Sequence, residues 1–353
     1  MDNMYFPAEW EPQRLIQLTW PHAATDWKDY LNDITETFIA LAQVITRHEG
    51  LLIVTPDVED TRSKLAMSLT PEEMSQVTFF ECPSNDTWAR DHAALTLIDR
   101  ENATATPLLL DFRFNGWGEK FPAQLDNAIT RHLAEGGLFQ VPLEDHEDFV
   151  LEGGSVESDG KGTVFTTAQC LLAPHRNQPL TIEEIEEQLK LRLRADRIVW
   201  LHHGNLVGDD TDGHIDTIVR CVPDDTLLYV CCEDESDEQF ADFQMLQEEL
   251  RMLRTPEGEP YRLLPLPMPD AIYEEGDRLP ATYANFVILN GAVIVPTYAQ
   301  SDSDARALSI IQQAFPDHAI IGLDARTVIR QHGSLHCLTM QFPKQLTINT
   351  HTS

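Results

Sequence analysis

The stretch GDDTDGHIDTIVRCVPDDTLLYVCC, residues 208–232, joins an acidic loop to two apolar runs. His214 to Val222 and Thr226 to Cys232 read as the paired strands of a hairpin, Phe240 to Leu253 carries helical spacing, and Tyr261 to Pro265 reads as a third strand. The order is strand, strand, helix, strand. Ahead of it, Gly208, Gly213 and four acidic residues in nine cannot pack as core, so the loop delivers polar groups to the mouth of a strand. A strand over Ile215–Val219 would place His214 and Asp216 on one face, because side chains alternate with a period of two. The plainer alternative is a hairpin approach whose acids face water.

The same order recurs on both sides. Ala93–Ile98 and Leu108–Phe114 precede a helix over Leu125–Ala134 and a strand over Leu138–Leu143. Ser155–Ser158 and Thr163–Thr167 flank Asp159-Gly160, a turn pair that predicts positive φ at both central positions. The helix Ile182–Leu193 and the strand Arg197–Leu201 follow. A fourth set flanks Asn290-Gly291, with Phe286–Leu289, Val293–Val295, Ala305–Phe315 and Ala319–Leu323. The N-terminus offers strand, helix, strand (Arg14–Trp20, Ile34–Glu49, Leu51–Thr55, then Val77–Cys82), and the C-terminus one unpartnered strand, Leu335–Phe342. Joined, they complete a fifth unit of about 70 residues, so the pattern predicts an α/β propeller-like ring of five ββαβ units closed by its terminal strands.

Five positions open the hairpins equivalently: Trp88–Asp91, Glu152–Gly154, Gly213–Asp216, Tyr283–Asn285 and Gly333–Cys337. In a ring they converge on the axis, gathering Asp91, Glu152, His214, Asp216, Asn285 and Cys337. Singly each has a bland reading, such as Asp91 pairing with Arg90 or capping a turn. Clustered carboxylates repel and require a cation. A metal fits poorly, since no spaced His/Cys pairs accompany the acids and a thiolate is a soft ligand among hard ones. A guanidinium fits, because its planar N–H donors match bidentate carboxylates. Cys337 above that plane can attack the central carbon, with His214 protonating the leaving ammonia and then deprotonating water. Arg90, the one basic residue in the axial motifs apart from histidines, is turned away from Asp91 by strand alternation.

WARD (88–91), LEGGSVESDG (151–160), GDDTDGHID (208–216), PATYANF (280–286) and HGSLHC (332–337), with the opening FPAEWEPQRLIQLTWPH, resemble the agmatine deiminase / Porphyromonas-type peptidylarginine deiminase family over the whole chain. The resemblance implies the guanidine-modifying pentein fold, with residues 1–353 as a single catalytic domain. It puts the nucleophile at Cys337, the general acid/base at His214 and the guanidinium carboxylates at Asp91 and Asp216. Glu152, Trp88, Asn285 and Asp210 are the further candidates for the substrate pocket. Two departures stand out: His332 replaces a usual Gly (QHGSLHC against GGGNIHC), and Glu157 replaces a frequent His (SVESDG against SIHVDG).

With 58 acidic and 25 basic residues the net charge is -33, which opposes nucleic acid and anionic membranes. At 42% hydrophobic residues the composition is globular, and no stretch approaches a membrane span or a basic-then-apolar leader, so a cytoplasmic protein is expected. Cys82, Cys170, Cys221, Cys231, Cys232 and Cys337 form no disulfide pattern. The expectation is an enzyme that hydrolyses agmatine to N-carbamoylputrescine and ammonia through an amidino-Cys337 intermediate, with neither metal nor organic cofactor. Free or peptidyl arginine is the alternative substrate, and a non-catalytic binding module the alternative class. Oligomeric state, homo-oligomers included, stays open, as does a lid role for Trp117 in Asp111–Phe121 against that of a surface plug.

Overall fold

Among residues 3–349, which the computed structural model of the chain describes, short apolar strands and one-sided helices condense into five sheets of three or four strands and one two-stranded pair, Tyr273–Glu274 with Asp277–Arg278. The chain divides into two compact units, one built from residues through Pro7, Glu11–Gly153 and Cys337 onward, the other from Ala8–Trp10 and Gly154–His336.

The first unit holds two sheets. In one, Leu95–Asp99 pairs antiparallel with Leu108–Arg113, which pairs parallel with Leu143–Val150, and Met4–Tyr5 edges the far side. In the other, Thr339–Pro343 pairs antiparallel with Gln13–Thr19, and Gly50–Thr55 and Val77–Glu81 continue it in parallel. The C-terminal strand, expected at Leu335–Phe342, begins at Thr339 and lies against the N-terminal strand.

The second unit repeats the arrangement three times: Val156–Ser158, Thr163–Thr167 and Arg197–Leu201; Val219–Val222, Thr226–Cys231 and Arg262–Pro267; Val287–Leu289, Ala292–Thr297 and Ala319–Asp324. Each first pair is antiparallel and each third strand parallel, the crossover being a helix. The helix Ile182–Leu193 shows why: Thr181 and Glu184 form a capping box worth about 1 kcal/mol, and Ile185, Leu189 and Leu193 bury one stripe at four-residue spacing.

Three expectations are corrected. Only the glycine of each turn pair is left-handed (Gly160 φ 70°, Gly291 φ 74°), so neither turn has positive φ at both positions. The strand expected at Leu138–Leu143 lies at Leu143–Val150, because Leu138 and Phe139 are buried at the end of the preceding helix, with Phe139 against Phe342. Most important, the strands expected at His214–Val222 and Leu335–Phe342 open on single helical turns, Ile215–Thr217 and His336–Leu338, and the entries Ala89–His92 and Gly153–Ser155 are single turns too. Candidate residues on these turns are aimed by helical, not alternating, geometry.

Candidate active site

In the second unit, the loop 208–213 is held by its own acids. Asp209 accepts from Thr211 Oγ1 and from Gly213 N (2.7 Å), and the Thr211 hydroxyl accepts from His214 N. Burial pushes Asp209 above the ordinary carboxylate range despite the opposing pull of His214 and these donors. Buried Arg176 holds Asp212 at 2.7 Å and donates to Thr211 O. Gly208 is obligatory: a Cβ there would stand 2.4 Å from Arg278 O, at φ 91°. Asp210 stays half-exposed, its carboxylate 3.8 Å from His332 Nε2, while His332 Nδ1 donates to Gly208 O at 2.7 Å. His332 has φ 65°, which accounts for glycine at that place in the family pattern.

The loop ends on the turn Ile215–Thr217, so His214 and Asp216 do not share a strand face as the sequence reading requires. His214 precedes the turn and Asp216 lies within it, and both are fully buried. His336 Nδ1 lies 2.7 Å from Asp216 Oδ2. Burial alone would raise Asp216; the His336 hydrogen bond and the charges of His336, His214 and Arg220 overcome it and hold the carboxyl below its ordinary range. Asn285 spans the two backbones, donating to Asp216 O (3.3 Å) and accepting from His336 N (2.9 Å).

Behind Asp216, Glu9, Glu157 and His336 bring ligand atoms within 4.8 Å of one another, a spacing that would suit a metal. The cation there is the guanidinium of Arg220. Its Nε donates to Glu157 Oε1 and its Nη2 to Glu9 Oε2, each at 2.5 Å, and its Nη1 donates to Ala284 O and Phe286 O. Glu157 Oε2 accepts from Cys221 N. The departure at Glu157 is thus used inside the protein, against Arg220.

In the first unit, Asp91 Oδ2 accepts from Trp117 Nε1 at 2.9 Å. Trp117 is buried between Phe114 and Phe121, so it is no surface plug. It occupies a run of four left-handed residues, Gly116–Glu119, unusual for a bulky side chain. Arg90, on the same turn as Asp91, is buried with Nη1 3.6 Å from Met340 Sδ, three residues after Cys337. Gly153 approaches Arg90 O so closely that a Cβ would lie 2.2 Å from it, which puts the Glu152 turn against the Asp91 turn. Glu152 and Cys337 are both buried.

Trp88 is also buried, its ring 5.6 Å from Trp27, whose Nε1 donates to Asp86. Burial and Asp26 push Asp86 up to about 7, and burial pushes Asp126 up to about 8 against the pull of the Asn85 and Asp86 N–H groups. Unfolded carboxyls titrate near ~4. The folded protein therefore binds more protons, and these groups make stability fall as pH rises from about 4 through about 8. Asp126→Asn is expected to raise Tm more at pH 8 than at pH 5; an equal shift at both would show Asp126 ionised in the native protein.

The first unit thus sets the Glu152 turn against the Asp91 turn and holds Cys337 three residues before Met340, which touches Arg90, with Trp88 on the entry to the Asp91 turn; the second brings together His214, Asp216 and Asn285, with Asp210 on the adjoining loop. Glu9, Arg220 and His336 were not singled out by sequence, and Trp117 was named only as a lid or a surface plug. The available signal was that each falls in or beside a quoted motif, and that an acid-rich cluster demands cations.

The Porphyromonas-type peptidyl-arginine deiminase family matches residues 5–343. A solved structure from Porphyromonas gingivalis, provisionally named an arginine deiminase, is 50% identical with a TM-score of 0.91, covering 98% of this chain and 100% of that one. A cysteine-to-serine agmatine deiminase of C. jejuni with substrate bound is 36% identical with a TM-score of 0.87, covering 96% of each chain. A provisionally named agmatine deiminase of Vibrio parahaemolyticus is 32% identical over 361 residues, 97% of each chain. Among the described residues no helix is long and apolar enough to cross a membrane.

Proposed function

Because the chain belongs to the Porphyromonas-type peptidyl-arginine deiminase family, we propose that it is a hydrolase of guanidinium C–N bonds whose substrate is agmatine. The observation that carries this reading is Asp216: a fully buried carboxylate held below its ordinary range beside His214, poised for a cationic group. Asp91 and Asp216 hold the guanidinium. The Cys337 thiolate attacks its central carbon, His214 gives a proton to the departing ammonia, and the amidino group stays on sulfur. His214 then takes a proton from water as it attacks that carbon; the C–S bond breaks and N-carbamoylputrescine leaves. The substrate-bound cysteine-to-serine relative supports a cysteine in this role.

Residues 1–353 act as one catalytic domain in this reading, and the five ββαβ sheets form the five-bladed pentein ring; the pairing of Thr339–Pro343 with Gln13–Thr19 supports its closure. A cytoplasmic placement belongs to the same reading.

Agmatine is favoured over arginine by the basic residues. Arg90 is buried toward Met340, Arg176 is committed to Asp212 and Arg220 to Glu9 and Glu157, so none is offered to an α-carboxylate. Half-exposed Asp210 suits the ammonium end. Arginine is the second reading, favoured by the name of the P. gingivalis relative. Ammonia release from agmatine, free L-arginine and a blocked arginine peptide decides between them. A kcat/KM for agmatine at least about 100-fold above that for free L-arginine is expected, the cost of an unmatched charge; comparable values, or a preference for the peptide, would establish the second reading.

A further inference from the structure

His336 lies at the junction of two carboxylates. Its Nδ1 is 2.7 Å from Asp216 Oδ2, and its Nε2 is 2.8 and 3.0 Å from the two oxygens of Glu9; the side chain is almost wholly buried. A neutral imidazole has one N–H and one lone pair. Either tautomer would therefore press a lone pair against a carboxylate at hydrogen-bond distance. The imidazolium, donating from both nitrogens, is the form in which His336 itself donates to both acids. Arg220 Nη2, 3.1 Å from Nε2, then serves as a second donor to the same Glu9 group. The charges alternate from Asp216 to His336, Glu9, Arg220 and Glu157, and Cys221 N closes the far end.

We propose that His336, held as an imidazolium between Asp216 and Glu9, is a positioning residue that fixes the orientation and the ionised state of Asp216. The inference rests on the proposed role of Asp216 in holding the guanidinium. It also gives Glu9 a function, since the Ala8–Trp10 segment lies with the second unit and supplies the anchor for Nε2. A carboxylate fastened on one oxygen by a fixed cation presents itself in one orientation, and its proton affinity falls. A structural ion pair of the same size would do neither for the reaction.

Two amide substitutions separate these roles. Asparagine can place its NH2 near the Nδ1 position, against Asp216, while glutamine reaches the Nε2 position, against Glu9. The charged groups facing the ring are Asp216, Glu9 and Arg220, with Glu157 behind Arg220 and His214 beside Asp216. With the imidazolium gone, Asp216 is easier to protonate, so the acid limb of kcat/KM against pH moves to higher pH. His336→Gln is expected to lower kcat/KM by at least about 100-fold and to move that limb upward, and His336→Asn to retain about tenfold more activity than His336→Gln. Glu9→Gln, which leaves the ring in place, should move the limb in the same direction by less. Equal activity of the Asn and Gln variants at equal Tm, or an acid limb unmoved in Glu9→Gln, would overturn the proposal.

The protein without substrate gives an independent reading. Nitrogen-15 spectra should show both ring nitrogens of His336 protonated at pH 7, and a neutral tautomer would overturn the proposal whatever the activity. Wild-type turnover measured first on the three guanidino substrates keeps the two questions apart. A wrong substrate class appears as an inactive wild type, a wrong role for His336 as wild-type-like variants.

Discussion

Cys337→Ser is expected to remove ammonia release by at least about four orders of magnitude, roughly 5.5 kcal/mol of transition-state stabilisation, with Tm changed little. A serine hydroxyl at its ordinary acidity is a far weaker nucleophile than a thiolate, and the substitution alters little else. Cys337 is buried within the turn His336–Leu338, whose backbone is tied through His336 N to Asn285. Four of the other five cysteines are poor candidates on electrostatic grounds. Burial and Asp126 push Cys82 up to about 11, burial and Glu157 push Cys221 well above the ordinary thiol value, and burial raises Cys231 and Cys232. Acid quenching of a slow variant during turnover should therefore leave an amidino adduct on the peptide carrying Cys337. Retained activity in Cys337→Ser, or an adduct on another cysteine, would remove the covalent mechanism.

The five-fold strand and helix order was legible because it depends on local periodicity. Ile182–Leu193, Arg197–Leu201 and Thr163–Thr167 fall where the sequence places them, each bounded by a cap, a turn or a charged residue. The hairpin entries at His214–Asp216 and Leu335–Cys337 were misread as strand because they are too short for a helical period to show. Ile215–Thr217 and His336–Leu338 are single turns, and an apolar residue beside a polar one in three positions fits either geometry. The error mattered, since it rested the convergence of His214 and Asp216 on alternation.

The partners of the candidate acids were hidden for a different reason. Glu9 meets Arg220 across 211 residues and His336 across 327, and Trp117 reaches Asp91 from a left-handed loop. Nothing in the neighbouring residues encodes such contacts. What the sequence does carry is the demand: a chain with 58 acidic residues that buries Asp91, Glu152, Glu157 and Asp216 must supply a donor for each.

Asp216→Asn and Asp91→Asn are expected to weaken kcat/KM for agmatine by about 3 to 5 kcal/mol each, because each removes half of the charge proposed to match a desolvated guanidinium. Their side effects should differ. At position 91 an asparagine oxygen can still accept from Trp117 Nε1, so the loop Gly116–Glu119 keeps its anchor and Tm should hardly move. At position 216 the loss leaves the His336 imidazolium facing a neutral amide while Arg220 remains close by, so buried positive charge loses a counter-ion. Asp216→Asn should therefore lower Tm as well as activity. Raising the pH should restore part of that stability, since His336 can then release the proton that no longer has a partner at Nδ1. Steady-state kinetics and thermal melts between pH 6 and pH 9 test both halves. If Asp216→Asn keeps wild-type kcat/KM, the carboxylate belongs to the buried charge network alone and the guanidinium must be held elsewhere.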